Sequence, residues 1–268
     1  MVNKELIKKI LAKAYIWLML ILMYLPILVL IIFSFTESDE VGVWTGFSFG
    51  LYGRLFQNHD LMTAVGNTLL IAVVSALIST ILGTLGAIGV FYSNKKYKKT
   101  VETMTQLPVV NAEIVMALSL AVLFKALNTN YTFFTLVIGH VVLTVAFVYL
   151  NVKPKLLQMD PNTYEAALDL GATPWYALFK IILPEILPGI LSGFLISITL
   201  SLDDFVITQY LKEPSFETIS TYIQKIVTKH PIPAEVRALT TFIFLIVLGV
   251  VIGITIYNNK KVNNSKKK

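Results

Sequence analysis

Two adjacent carboxylates, Asp203 and Asp204, stand in a stretch that is otherwise almost wholly apolar: residues 186–208 read ILPGILSGFLISITLSLDDFVIT. A charged Asp at the centre of a membrane helix costs about 2.5–3.5 kcal/mol on insertion scales. The pair therefore needs a compensating partner or a task. Ser197, Ser201, Asp204 and Thr208 recur at spacings of four, three and four. On one continuous helix these four make a single polar stripe, which Gly193 extends. Asp203 is turned about 100° away, in line with Thr199. A stripe of hydroxyls ending in a carboxylate suits the wall of a hydrated pathway, where acidic groups attract a cation and repel an anion. The structural alternative is a solvated pair at a helix end, or one bonded to the backbone of a neighbouring span. Phe205 and Tyr210 are placed to add cation–π contact, although Tyr210 reads better as an aromatic of the interfacial belt.

Other polar residues carry weaker signals. Glu113 suits the first turn of a helix, where the dipole favours an acid, near the cytoplasmic end of its span. His140 is a lone histidine in an apolar run; without a second ligand at metal spacing it reads as a hydrogen-bonded packing residue. The sequence contains no cysteine, no GxxxxGK[ST] phosphate loop, no HExxH and no GxSxG. The expectation is no catalytic residue, no metal site and no cofactor of its own; if ATP drives this protein, a partner subunit must bind it.

The elements that position these residues follow from composition. Of 268 residues, 56% are hydrophobic and 14% charged, with a mean hydropathy of +0.73. Soluble domains carry about 25% charged residues. An all-α, polytopic membrane protein follows, organised as a single transmembrane domain over residues 1–268. A bilayer core needs about 20 apolar helical residues. Six stretches meet that need, at about 14–33, 65–92, 107–125, 133–152, 186–208 and 238–257. The first is too long for a signal peptide and no small-residue cleavage site follows, so it is expected to be retained, with Pro26 marking a kink. Sixteen of the 22 lysines and arginines fall on one side of this topology, which makes both termini cytoplasmic. Because the basic residues lie between apolar runs, membrane topology accounts for the net charge of +6, and nucleic acid is not implied. Asp204 then lies about 27 Å from the cytoplasmic start of its helix, towards the outer mouth. The tail NNKKVNNSKKK reads as disordered and solvated, with attraction to phospholipid the alternative. Gly189–Gly193 and Gly249–Gly253 are GxxxG spacings that allow close helix packing. Ile219, Tyr222, Ile223 and Ile226 share one face of a short external helix that lies on the bundle or meets a soluble protein.

The connection over residues 160–184 is long and organised. Asp160 and Pro161 start one short helix, Gly171 stops it in a left-handed conformation, and Thr173 and Pro174 start another that runs through Trp175 and Phe179 towards Pro184. Within it, Glu165, Ala166 and Ala167 are followed at fixed spacings by Gly171, Ile181, Leu183 and Pro184. This pattern resembles the EAA signature of ATP-binding-cassette importer permeases. The resemblance implies a type I importer permease of MetI-like architecture, in which this loop docks on the ATPase. The stretches VWTGFSFGLYGRLFQN, EIVMALSLAVLF, SLDDFVIT and EPSFETISTYIQKIVTKHPIPAEVRALTT are similar to the spermidine/putrescine permeases of that family. In Asn111-Ala112-Glu113 the chain departs from them, since a proline commonly precedes that acid. The resemblance implies a dimer of ATPase subunits, a second permease subunit of a different chain, an extracytoplasmic polyamine-binding protein and the cytoplasmic (inner) membrane of a bacterium. The Asp pair alone would also suit ferric iron or another small cation, an ion-coupled secondary transporter, or a membrane scaffold without a pathway.

Overall fold

The computed structural model describes residues 4–38, 40, 42–160, 162–228 and 233–265; for 4–7, 250, 251 and 253–265 the backbone alone is described. Among these residues every regular element is helical: α1 (Lys4–Ser34), α2 (Gly50–Gln57), α3 (His59–Phe91), α4 (Lys95–Val110), α5 (Glu113–Ala126), α6 (Phe133–Gln158), α7 (Asn162–Asp169), α8 (Pro174–Ala177), a π-helical turn (Leu178–Ile182), α9 (Leu183–Asp203), α10 (Val206–Leu211), α11 (Ile219–Val227) and α12 (Ala234–Ser265). The chain forms two compact units, Met1–Met62 with Ile226–Lys268, and Thr63–Lys225.

In the first unit, α1 packs on α12 and α12 on α2. Phe56 meets Phe242 edge to face, with ring centroids 6.1 Å apart. Arg237, 2% exposed, donates to the carbonyls of Ser38 at 2.5 Å and Glu40 at 3.4 Å. These bonds offset part of the cost of burying its charge. Pro26 lies inside the continuous α1 helix. α12 runs through Ser265, so the tail expected to be disordered is helical that far, while 266–268 lie outside the described residues.

The second unit holds the candidate site. Its axis is α6, which packs most extensively on α9. Their close approach has a definite cause. A Cβ on Gly189 would stand 2.8 Å from the Asn151 carbonyl, and one on Gly193 would stand 3.0 Å from Val148 Cα. Two glycines four apart thus let the two backbones touch, as the spacing predicted. Gly249, of the other GxxxG pair, has nothing within 4 Å. One apolar cluster gathers Ala87, Val90, Val148, Val152, Leu156, Ile182 and Ile186 near the α7–α8 end of the unit. Another gathers Ile71, Ala117, Phe124, Leu136, Leu143, Ile207 and Leu211.

Four described helical stretches are long and apolar enough to cross a membrane: Lys8–Ser34, His59–Phe91, Phe133–Gln158 and Pro174–Asp203. Two expected spans differ. The third, 107–125, is broken: α4 and α5 meet at an angle of 105°. Asn111 and Ala112 are extended there, with ψ of 144° and 134°. Pro108 lies within the last turn of α4, and α5 alone rises only about 21 Å. The fifth, 186–208, also breaks. α9 ends at Asp203, Asp204 is extended with ψ 129°, and α10 begins at Val206. At its other end α9 is longer than expected, because α8 and the π turn join it in one helical run from Pro174. Pro184 has no N–H to bond four residues back, and the Leu183 N–H instead reaches the Leu178 carbonyl, five residues back. The shift to π geometry absorbs the proline without stopping the helix. The sixth expected span, 238–257, falls on α12, much of it where the backbone alone is described.

Candidate functional site

The polar stripe of the sequence becomes a buried node around His140. Because the helix stops at Asp203, Ser197 and Ser201 lie on α9, Asp204 in the break and Thr208 on α10. One helix face therefore does not unite them; packing against α6 does. Asp204 accepts the N–H of Ile207 at 3.1 Å and of Thr208 at 2.8 Å, and the Thr208 hydroxyl at 2.8 Å. It is the carboxylate cap of α10, satisfying donors that the first turn leaves free. Asp204 is only 6% exposed.

His140 is wholly buried on α6. Its Nδ1 lies 2.7 Å from Ser201 Oγ, its Nε2 3.0 Å from Thr208 Oγ1 and 3.5 Å from Asp204 Oδ2. α3 completes the node: Ser75 Oγ lies 3.2 Å from Ser201 Oγ, and Ser79 Oγ 2.7 Å from Thr144 Oγ1. Ser197 Oγ, also buried, has no hydrogen-bond partner among the described residues. The hydrogen-bonded reading of His140 is thus right in kind. Its central place, and the parts of Ser75, Ser79 and Thr144, were missed. A usable signal was present: Ser75/Ser79, His140/Thr144 and Ser197/Ser201 are polar pairs four apart on three separate apolar helices. Such pairs form one polar layer when the helices pack side by side.

Asp203 behaves differently from its neighbour. It ends α9, is exposed, and has no hydrogen-bond or ion-pair partner among the described residues. Glu113, the first residue of α5, is exposed as well, and its carboxyl lies within electrostatic reach of both Asp204 and Asp203. The sequence reading set Glu113 near the opposite end of its span from the Asp pair. In the structure Glu113 stands just after the 105° bend and within electrostatic reach of the pair.

At the other end of the same helical run lies the organised connection. Gly171 has φ +86°, where a side chain would be strained. The N–H of Gly171 donates to the Leu168 carbonyl at 2.9 Å and that of Ala172 to the Ala167 carbonyl at 3.0 Å, closing α7. Thr173 Oγ1 accepts the Tyr176 N–H at 3.3 Å and Pro174 starts α8. Asp160 Oδ1 accepts the Asn162 N–H at 3.0 Å; Pro161, the expected first helical residue, lies outside the described residues. Glu165, Ala166, Gly171 and Pro184 are exposed, Ile181 and Leu183 half-buried and Ala167 buried. Around them Leu170 is 90% exposed, and Trp175 and Phe179 stack with centroids 6.2 Å apart while both remain exposed. A small-residue helix flanked by uncovered aromatics is a docking surface in composition.

The short helix expected after residue 218 is α11. Its approach is pinned by the Asn67 amide donating to the Glu217 carbonyl at 2.9 Å and the Ile219 N–H donating to Thr68 Oγ1 at 2.8 Å. Burial raises the pKa of Glu217, but hydrogen bonds from Thr221, Lys212 and Lys225 outweigh it and hold the carboxyl below its ordinary value. Lys212 and Lys225 lie 3.2 and 3.3 Å from it.

Residues 79–259 match the family model described as the binding-protein-dependent transport system inner membrane component. The chain belongs to that family. It is 36% identical over 231 residues to the spermidine/putrescine transport system permease protein PotC of Escherichia coli (strain K12), covering 86% of this chain and 87% of the relative. The corresponding protein of Haemophilus influenzae is 35% identical over 243 residues, covering 90% and 94%. The putrescine transport system permease protein PotI of Escherichia coli (strain K12) is 36% identical over 228 residues, covering 82% and 81%. The fold is shared with a bacterial ABC transporter that imports the acidic polysaccharide alginate, at TM-score 0.72, 22% identity and coverage of 93% and 94%. A crystal structure of an amino acid ABC transporter matches at TM-score 0.53 and 18% identity, covering 76% and 94%. The family membership and these folds make the chain an all-α ABC importer permease, an inner-membrane component with several membrane-spanning helices.

Proposed function

We propose that this chain forms part of the transmembrane pathway of an ATP-driven importer of polyamines, with Asp203 as the cargo-facing carboxylate. The observation that carries this is the exposed, unpartnered Asp203 at the end of α9, with Glu113 of α5 within its electrostatic reach. Acidic side chains beside two helix breaks, Glu113 at one and Asp203 at the other, suit a flexible cation carrying several charges. Among the described residues no three His, Cys, Asp or Glu side chains converge as a metal ion would require. The names of the 35–36% identical relatives support the same cargo. Asp204, Ser197, Ser201 and Thr208 form the buried wall behind Asp203.

In this reading both termini are cytoplasmic, as the lysine and arginine distribution requires, and the loop 160–184 faces the cytoplasm. Glu165, Ala166, Ala167, Gly171, Ile181, Leu183 and Pro184 dock on a separate ATPase dimer that binds the ATP. The unbroken helical run from Pro174 to Asp203 then acts as a lever between the ATPase and the acidic pair. A second permease subunit of a different chain completes the pathway within the lipid bilayer, and an extracytoplasmic binding protein delivers the cargo. The chain itself catalyses nothing.

The test is uptake by the assembled transporter in vesicles, with labelled spermidine. Competition by unlabelled spermidine and putrescine, with ATP required inside, is the expected result. Indifference to both with inhibition by ferric iron would reassign the cargo. Transport by this chain without an ATPase, abolished by collapsing an ion gradient, would overturn the reading.

A further inference from the structure

The hydrogen-bond directions in the node assign a role to the Nε2 of His140. Asp204 receives three donors, two backbone N–H groups and the Thr208 hydroxyl, as an ionised carboxylate does. The Thr208 hydroxyl spends its one proton on Asp204, so Thr208 Oγ1 must accept from His140 Nε2, 3.0 Å away. Nε2 therefore carries a ring proton, while Nδ1 lies 2.7 Å from the Ser201 hydroxyl, which can serve it as donor or acceptor. A chain results in which His140 donates to Thr208 and Thr208 to Asp204, with Ser201 bonded to the other ring nitrogen. It crosses the break between α9 and α10 from Ser201 before it to Thr208 after it, and α6 supplies the bridging ring.

The backbone of the break hangs on this chain. Phe205 adds no side-chain cap to α10, so the Asp204 carboxylate does the capping. If Asp204 swung out towards cargo, it would strand two N–H groups and the Thr208 hydroxyl proton, all buried. Leaving buried donors without an acceptor opposes that swing. Asp203, one residue earlier, bears none of these obligations.

We propose that His140 is a positioning residue for transport. Its ring, through Thr208, clamps Asp204 into the wall as a capping carboxylate, and this fixes the α9–α10 break so that Asp203 alone of the pair meets the cargo. The two adjacent acids thus divide the work, although the sequence presents them as equivalent. This rests on the proposed cation pathway and adds to it a division of roles that the pathway itself does not require.

The experiment uses the assembled transporter with its ATPase and binding protein, and reads KM and maximal rate for spermidine in Asp203→Asn, Asp204→Asn, His140→Phe and His140→Gln. Asp203→Asn should raise KM about five- to tenfold, the worth of one well-placed charge. Asp204→Asn keeps a capping oxygen and should lower the maximal rate with KM within about twofold. His140→Phe, which keeps the bulk and loses both bonds, should raise KM as Asp203→Asn does. His140→Gln, which keeps one amide bond, should restore most of it. The ¹⁵N shifts of the His140 ring should report a protonated Nε2, and Asp204→Asn should change them. A KM rise in Asp204→Asn equal to that in Asp203→Asn overturns the division of roles. A loss of maximal rate at unchanged KM in His140→Phe reduces the ring to a packing element and overturns positioning. Absence of polyamine uptake by the wild-type transporter refutes the proposed function instead, and the ring shifts still decide the clamp.

Discussion

The two ends of the helical run from Pro174 to Asp203 are built on opposite plans. At the Pro174 end, α7 and α8 are stopped and started by backbone devices, Gly171 and the Thr173 cap, and their aromatic side chains stay uncovered. At the Asp203 end the helix is broken at a side chain, Asp204, whose contacts run to two other elements, α10 and α6. A surface made for a partner keeps its stability local and leaves its contact residues free. A break inside a bilayer must satisfy every freed backbone group from within the protein. The two ends thus meet contrary demands, and one continuous helical run joins them.

The sharpest way to break this comparison is to separate the run from its support. Gly189→Leu would drive a side chain into the Asn151 carbonyl and Val152 Cα, so the purified complex should lose about 1–3 kcal/mol or more in thermal unfolding, with uptake abolished. Gly249→Leu, at a glycine with open space around it, should cost little in the same measurement. If the two variants behave alike, close packing of α6 on α9 is not what carries the lever.

Next in size are changes confined to the docking end. Gly171→Val forces a β-branched residue to φ +86°, a strain of roughly 1–2 kcal/mol, and should misplace α8. Glu165→Lys reverses an exposed charge on α7. Both should reduce co-purification of the ATPase about tenfold while the permease inserts normally. Unaltered co-purification in both would remove the loop from the coupling role.

A smaller effect is expected within the polar layer. Ser79→Ala removes its bond to Thr144, which keeps its own bond to the His140 carbonyl at 2.8 Å. The loss should be about 1 kcal/mol in unfolding, with KM unchanged. The smallest effect concerns α11. Glu217 has a depressed pKa, so its contribution is fully present above its ordinary value of 4.5 and is lost as pH falls through the lower folded value. Hydrogen exchange around 217–225 should therefore rise in acid below that value, and Glu217→Gln should flatten the dependence. A rise that begins near neutral pH would assign the anchoring to another group.

Legibility followed the range of the interaction concerned. The caps and stop of the 160–184 connection were readable because Asp160, Gly171, Thr173 and Pro174 act on backbone within a few residues. The Gly189–Gly193 contact was readable as a spacing, though not its partner. The break at Asp204 was not, because SLDDFVIT continues an apolar helical period, although the cap itself reaches only three and four residues on, to Ile207 and Thr208. What the sequence could not show is His140 of α6, which bonds Ser201 before the break and Thr208 after it. Glu113 was misplaced for a related reason: a bend of 105° is invisible to a hydropathy count that treats 107–125 as one rod.

The sequence by itself determined that this chain lives in a membrane, is helical, and carries the organised loop of an importer permease. Those properties depend on composition, on period and on fixed spacings along the chain. Tertiary structure alone decided which aspartate is buried and which is offered, because adjacent residues share every local property. They differ only in what lies across from them: for Asp204 a histidine 64 residues earlier in the chain, and for Asp203 an open face.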